Sequence, residues 1–152
     1  MFHFVSGDMF EGPADIVINT VNTDGIMGGG IALECKKRYP AMYEEYKDLC
    51  KKKLLTVDNY FFWLNPDPKG KHVYNFCTKA EVIKPSEYMY IREGLLNLST
   101  FLDEDMELNK CKSIAVPRLG CGLGGLDWEF VKPMVIKHLN AVSKKVDIYI
   151  YE

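Results

Sequence analysis

The chain has 152 residues, 47% of them hydrophobic, enough for one domain with a substantial core. A formal charge of −2, from 19 Lys+Arg against 21 Asp+Glu, excludes the basic excess of a general nucleic-acid binder, while a local basic rim stays open. No apolar run reaches the roughly 20 residues that span a bilayer, and the five cysteines show neither CxxC pairing nor histidines at zinc spacing.

With an odd cysteine count and no signal peptide, the expectation is reduced thiols in the cytoplasm, and neither metal, cofactor nor membrane as a partner. "FHFVSGD" (Phe2–Asp8) alternates apolar and polar residues and reads as a first strand. "DIVINTVN" (Asp15–Asn22) is rich in β-branched and apolar residues, as for a strand buried on both faces. A loop with four glycines in six residues follows (Gly25, Gly28, Gly29, Gly30), then "IALECKKRY" as a helix closed by Pro40. "AMYEEYKDLCKKK" (Ala41–Lys53) continues helically, with Met42, Tyr46 and Leu49 on one face. "NYFFWLN" and "HVYNFCT" are two more strands, joined by the turn "PDPKGK", with Phe61, Phe62 and Trp63 expected in the core. "SEYMYIREGLLNLSTFLDE" is a long amphipathic helix with Ser86 as its expected cap. "SIAVP" (Ser113–Pro117) is a short buried strand, followed by "RLGCGLGGLDW", a second glycine loop. "EFVKPMVIKHLNAV" is the last helix, for which Asp127 is a natural cap, and "VDIYIYE" is the last strand. No repeat or linker divides the chain, so residues 1–152 read as a single domain.

Strands alternating with helices predict an α/β fold, a three-layer α/β/α sandwich on a mixed, largely parallel sheet. Both glycine loops lie between a buried strand and a helix. In such sheets ligands bind beyond the carboxyl ends of the strands, so the two loops are expected to flank one crevice. Neither is a Walker A or a dinucleotide fingerprint, since the required lysine and the required spacing are missing. Bare backbone at a helix N-terminus offers free N–H groups and a positive dipole end, which suit a diphosphate without a metal. Either loop is also readable as a structural turn.

"GDMFEGPADIVINTVNTDGIMGGGIA" and "VPRLGCGLGGLDW" together resemble the macrodomain family, whose fold binds ADP-ribose. Within it, "KKRYPAMYEEY", "NFCTK" and the second loop are most similar to the branch of DNA ADP-ribosyl glycohydrolase antitoxins and terminal ADP-ribose glycohydrolases. The resemblance implies that Asp8 accepts a hydrogen bond from the adenine amino group, with Met9 and Thr20 also in the binding site. It implies that Asn22 faces the distal ribose, and that Gly28, Gly29, Gly30 and Ile31 clasp the diphosphate from one side. Gly120, Cys121, Gly122, Leu123 and Gly124 would clasp it from the other. Lys79 would be catalytic, with Asn22 beside it: a neutral lysine amine can add to C1″ of a ring-opened ribose and form a Schiff base.

Plainer roles stand beside these. Asp8 can cap a turn, Asn22 can tie down its own loop, and Lys79 can be a surface cation. Cys121 reads better as a small loop residue than as a nucleophile, because no histidine is paired with it. Trp128 can wall the distal ribose or pack on its helix. Terminal ADP-ribose glycohydrolases carry an acid directly after Gly-Cys-Gly-Leu, where this chain has Gly124, which favours the DNA-directed branch. The function implied is therefore hydrolytic removal of ADP-ribose from a modified macromolecule, a DNA base in short single-stranded DNA, by a monomer. The alternatives are an ADP-ribose 1″-phosphatase or O-acetyl-ADP-ribose deacetylase, and a non-catalytic reader of ADP-ribose.

Overall fold

The apolar run of Asp15–Asn22 becomes the axis of the molecule. In a computed structural model describing residues 1–107 and 109–152, it forms strand β2 (Ile16–Asn22), buried along nearly its whole length. It lies inside a six-stranded sheet with β1 (Phe2–Val5), β3 (Tyr60–Trp63), β4 (His72–Lys79), β5 (Ser113–Val116) and β6 (Asp147–Tyr151). The order is β1-β6-β5-β2-β4-β3. Every neighbouring pair is parallel except β3 with β4, an antiparallel edge made by the hairpin whose turn is "PDPKGK". This is the mixed, largely parallel sheet expected.

Helices α1 (Gly30–Arg38) and α2 (Pro40–Lys51) cover one face, and α3 (Tyr88–Glu104) and α4 (Trp128–Leu139) the other. Pro40 both ends the first helix and starts the second, since its missing N–H is harmless at a first helical position. Beneath α2 lie Met42, Tyr46 and Cys50, packed on Val17, Val21 and Val73 from the odd-numbered positions of β2 and β4. The even-numbered positions Ile16, Ile18, Tyr74 and Phe76 meet Ile91, Leu95, Leu98 and Leu102 of α3. That spacing is the helical stripe legible in the sequence. Gly94 is required by packing: a Cβ there would overlap the Phe76 ring.

Two helix starts differ from each other in an informative way. Asp127 caps α4, its carboxylate accepting the Glu129 N–H at 2.9 Å. Ser86 does not cap α3. Glu87 occupies the cap position, while Ser86 is buried against the second glycine loop and its N–H donates to the Gly124 carbonyl at 3.0 Å.

Five strands running in parallel deliver their following loops to one edge of the sheet. Those loops hold Gly7–Met9 after β1, Thr23–Gly29 after β2, Ala80–Ser86 after β4, Pro117–Gly125 after β5 and Glu152 after β6. All the candidate residues therefore lie along one edge.

Candidate functional site

The two glycine loops meet. A Cβ on Gly29 would come 3.1 Å from Leu123 Cδ1, so the loops after β2 and β5, remote in sequence, form facing lips. Leu123 is 77% exposed, an apolar side chain held over bare backbone. Gly30 opens α1 with φ +56°, and Gly120 and Gly125 take φ +72° and +80°, conformations that need glycine. A Cβ on Gly122 would point into open space, whereas one on Gly124 would overlap Ser86 Oγ and lie 2.5 Å from the Gly120 carbonyl. Glycine at 124 is therefore imposed by packing, and an acid cannot be seated there without moving Ser86 and the loop backbone.

On the β1–β6 side of these lips lies a cleft of about 810 Å³. Met9, Ile31, Cys121 and Gly122 line it together with Gly7, Arg118, Trp128 and Tyr151. Asp8 stands at its rim beside Gly7, half-exposed. One carboxylate oxygen accepts the Phe10 N–H at 2.9 Å, capping a short 3-10 turn (Met9–Glu11), and the other faces Arg38 at 3.8 Å. Trp128 belongs to this end of the cleft. Its indole N–H donates to Glu152 at 3.2 Å, and the Arg118 guanidinium lies 5.8 Å over its ring. It lines the cleft with Gly7, Met9 and Tyr151, and the lining of that cleft does not include Asn22 or Lys79. Cys121 donates its thiol hydrogen to the Leu119 carbonyl at 3.3 Å. Burial pushes its pKa up, opposed by Arg118, which keeps it a thiol rather than a nucleophilic thiolate.

Asn22 and Lys79 lie outside that lining, where β2 and β4 finish. The register slips by one residue between Val21 and Asn22, so Val21 pairs with Cys77 but Asn22 pairs with Lys79. The extra residue, Thr78, is a bulge, a device that re-aims the following side chain. Directly opposed residues share a face, so the bulge brings Lys79 and Asn22 together. Lys79 is half-buried, its Nζ 3.5 Å from the Val82 carbonyl.

Asn22 is heavily engaged with its own loop. Its Oδ1 accepts from the N–H groups of Asp24 (3.0 Å) and Ile26 (3.4 Å) and from the Tyr46 hydroxyl (3.0 Å). Its Nδ2 donates to the Ile26 carbonyl at 2.8 Å, leaving one amide hydrogen for a ligand. Tyr46, fully buried and held protonated by that burial, also donates to the Asn22 carbonyl at 2.7 Å. Thr20, one turn of the pleat earlier, is half-buried, and Gly28 is exposed on the lip.

Residues without a role in the sequence reading complete the frame. Asn19 and Asn75, both fully buried, pair across β2 and β4 at 3.0 Å, and Asn75 donates to the Phe61 carbonyl on β3 at 3.1 Å. An asparagine at mid-strand in each of two apolar runs was the available signal. Asn19 Oδ1 and Ser86 Oγ are buried with no hydrogen-bond partner among the described residues.

The Macro domain family model matches residues 18–135. The chain belongs to the macrodomain family. Its fold is correspondingly close to solved macrodomains. The macrodomain of Mycobacterium tuberculosis DarG superposes with a TM-score of 0.91 at 38% identity, covering 99% of this chain and 97% of that one. Thermosipho africanus DarTG in complex with ADP-ribose superposes with a TM-score of 0.84 at 32% identity, covering 99% of this macrodomain and 41% of that chain. Among curated relatives, the DNA ADP-ribosyl glycohydrolase of Mycobacterium tuberculosis is 40% identical over 152 residues, 99% of this chain. This macrodomain spans 42% of that relative's length.

Proposed function

We propose that this macrodomain, acting as one unit over residues 1–152, is an ADP-ribosyl hydrolase that releases ADP-ribose from a modified macromolecule, a DNA base foremost. The observation that carries this reading is the register pairing of Lys79 with Asn22 across the Thr78 bulge, on the same edge of the sheet as the two facing glycine loops. The names of the relatives support it, as does the ADP-ribose complex of the Thermosipho protein. In this reading adenine lies at the Asp8 end, the diphosphate rests between the loops on backbone N–H groups, and the distal ribose reaches Asn22 and Lys79.

The chemistry is covalent catalysis by an amine. Ring opening of the N-linked ribose leaves C1″ as an iminium of the base nitrogen. The neutral Nζ of Lys79 adds to C1″, the C1″–base bond breaks, and the base leaves carrying its electron pair and a proton from Nζ. Water then adds to the lysine Schiff base, and ADP-ribose leaves as its aldehyde, which recloses. Backbone donors and Asp8 hold the ligand throughout, so Lys79 contributes rate more than affinity. The protein is read as a cytoplasmic monomer on short single-stranded DNA; among the described residues no helix is long and apolar enough to cross a membrane.

The test is release of ADP-ribose from a modified oligonucleotide, with calorimetric binding of free ADP-ribose in EDTA. Lys79→Ala is expected to lose at least about 100-fold in rate with affinity within a few-fold of wild type, and Lys79→Arg to be equally inactive. An active arginine variant would make the lysine an electrostatic contact. Full dephosphorylation of ADP-ribose 1″-phosphate by both variants would give the lead to a metabolite enzyme.

A further inference from the structure

Beyond the bulge, β2 and β4 cease to pair by regular ladder bonds, yet the two chains stay joined for three more steps. Asn22 is the register partner of Lys79. Thr23 donates both its N–H, at 3.4 Å, and its hydroxyl to the Ala80 carbonyl. Asp24 then accepts the Val82 N–H on Oδ2 at 2.7 Å. Asp24 is itself held in place, because its own N–H donates to Asn22 Oδ1 at 3.0 Å. The Val82 carbonyl faces Lys79 Nζ.

These bonds form a closed circuit. The Asn22 side chain fixes the backbone of Asp24, the Asp24 carboxylate fixes the peptide of Val82, and Val82 receives the amine of Lys79. The segment it fixes lies outside regular structure, between the end of β4 and the start of α3. Near Val82, among the described residues, its own backbone supplies only the turn bond from the Lys84 N–H to the Glu81 carbonyl at 3.2 Å. A lysine has long rotamer freedom, and a loose acceptor would leave its amine wandering. A side-chain oxygen accepting a backbone N–H anchors such a loop.

We propose that Asp24 is a positioning residue for the reaction: through Val82 it holds Lys79 Nζ at the place where C1″ arrives, without touching the ligand itself. This rests on the assignment of Lys79 as the attacking amine. The geometry asks only for an acceptor at Asp24 Oδ2, not for its charge, so asparagine with its oxygen toward Val82 replaces it and alanine does not.

The experiment compares wild type, Asp24→Ala, Asp24→Asn and Lys79→Ala on a modified oligonucleotide, with ADP-ribose affinity by calorimetry. It adds reductive trapping, in which cyanoborohydride reduces the Schiff base formed between the enzyme and the aldehyde of free ADP-ribose to a stable adduct read by mass spectrometry. Asp24→Ala is expected to lower kcat and trapping at Lys79 by about 10- to 100-fold, the scale of a small misplacement of a reacting group, with KM and Kd within about threefold. Asp24→Asn should return both to within about threefold of wild type. Full kcat in Asp24→Ala alongside an inactive Lys79→Ala would overturn the role of Asp24 alone. Parallel loss of ADP-ribose affinity in Asp24→Ala, or failure of asparagine to rescue, would likewise overturn it by making the residue a general support of the loop. An active Lys79→Ala would overturn the catalytic reading and this proposal with it.

Discussion

The two glycines at 122 and 124 should separate binding from stability. A methyl at Gly122 meets nothing within 4 Å, and Gly122 lines the cleft, so Gly122→Ala adds bulk to the cleft wall without displacing any protein atom. Its effect on folding should stay within about 0.5 kcal/mol, with a small gain from a stiffer unfolded chain as the favourable limit. A methyl at Gly124 would overlap Ser86 Oγ and sit 2.5 Å from the Gly120 carbonyl. Ser86 can turn aside, but that carbonyl accepts the Leu126 N–H at 2.9 Å and is part of the loop backbone. The loop must open, an overpacking cost of about 1–3 kcal/mol, or a fall of about 3–10 °C in Tm for a domain of this size. Removing the hydroxyl in a Ser86→Ala/Gly124→Ala double variant should recover only part of the loss, because the carbonyl clash persists. Thermal unfolding and ADP-ribose calorimetry read the two effects. Gly122→Ala is expected to bind at least about tenfold more weakly at unchanged Tm, since the methyl displaces the ligand from its close backbone contacts. A Gly124→Ala protein with wild-type Tm, or a Gly122→Ala protein that binds normally, would refute the assignment of these loop faces.

Gly29→Glu places a side chain and a negative charge on the facing lip; it should abolish ADP-ribose binding while circular dichroism stays native, because the nearest obstacle is the movable end of Leu123. Cys121→Ser should keep ADP-ribose release within a few-fold of wild type, since burial holds that thiol protonated. Tyr46→Phe removes a buried hydroxyl shared by the Asn22 carbonyl and side chain, and should lower unfolding free energy in urea by about 1–2 kcal/mol. Acidification should also cost stability through His72, whose ring nitrogen accepts the Asn65 N–H at 2.9 Å and whose pKa is lowered by burial, with Asp15 opposing. A depressed folded pKa means that this contribution is present above about pH 6.5 and lost as pH falls through the folded value. Urea unfolding at about pH 7.5 and about pH 5.5 should therefore differ less in His72→Gln than in wild type.

The glycine loops were legible because glycine encodes a local demand, bare backbone at a helix start, and that demand can be read without knowing what faces it. The continuous apolar run of β2 and the α3 stripe were legible for the same reason. What escaped was set across the chain. Ser86 has the composition of a cap, yet the Gly124 carbonyl takes its N–H and the loop buries its side chain. The bulge at Thr78 leaves no mark in "NFCTK", since register belongs to a pair of strands and not to either one. Asp24 reads as an ordinary turn residue until Val82 stands opposite. The direction of Trp128 depends on the Glu152 carboxylate just after β6, which accepts its indole N–H and which nothing in the local sequence announces.

The pairing of β1 with β6 has a consequence for the order of folding. Phe2–Val5 enters the sheet by pairing with Ile148–Tyr151, so β1 joins the sheet through a strand remote from it in sequence. Gly7 and Tyr151 line the cleft from those two strands, which means that the wall beside Asp8 is the last part of the pocket to be assembled. Such a pairing has the greatest sequence separation in the molecule and should be among the slowest contacts to form. Before β1 closes on β6, the chain has Asn22, Lys79 and both glycine lips yet lacks one wall of the cleft. The cleft is completed in one step with closure of the sheet edge.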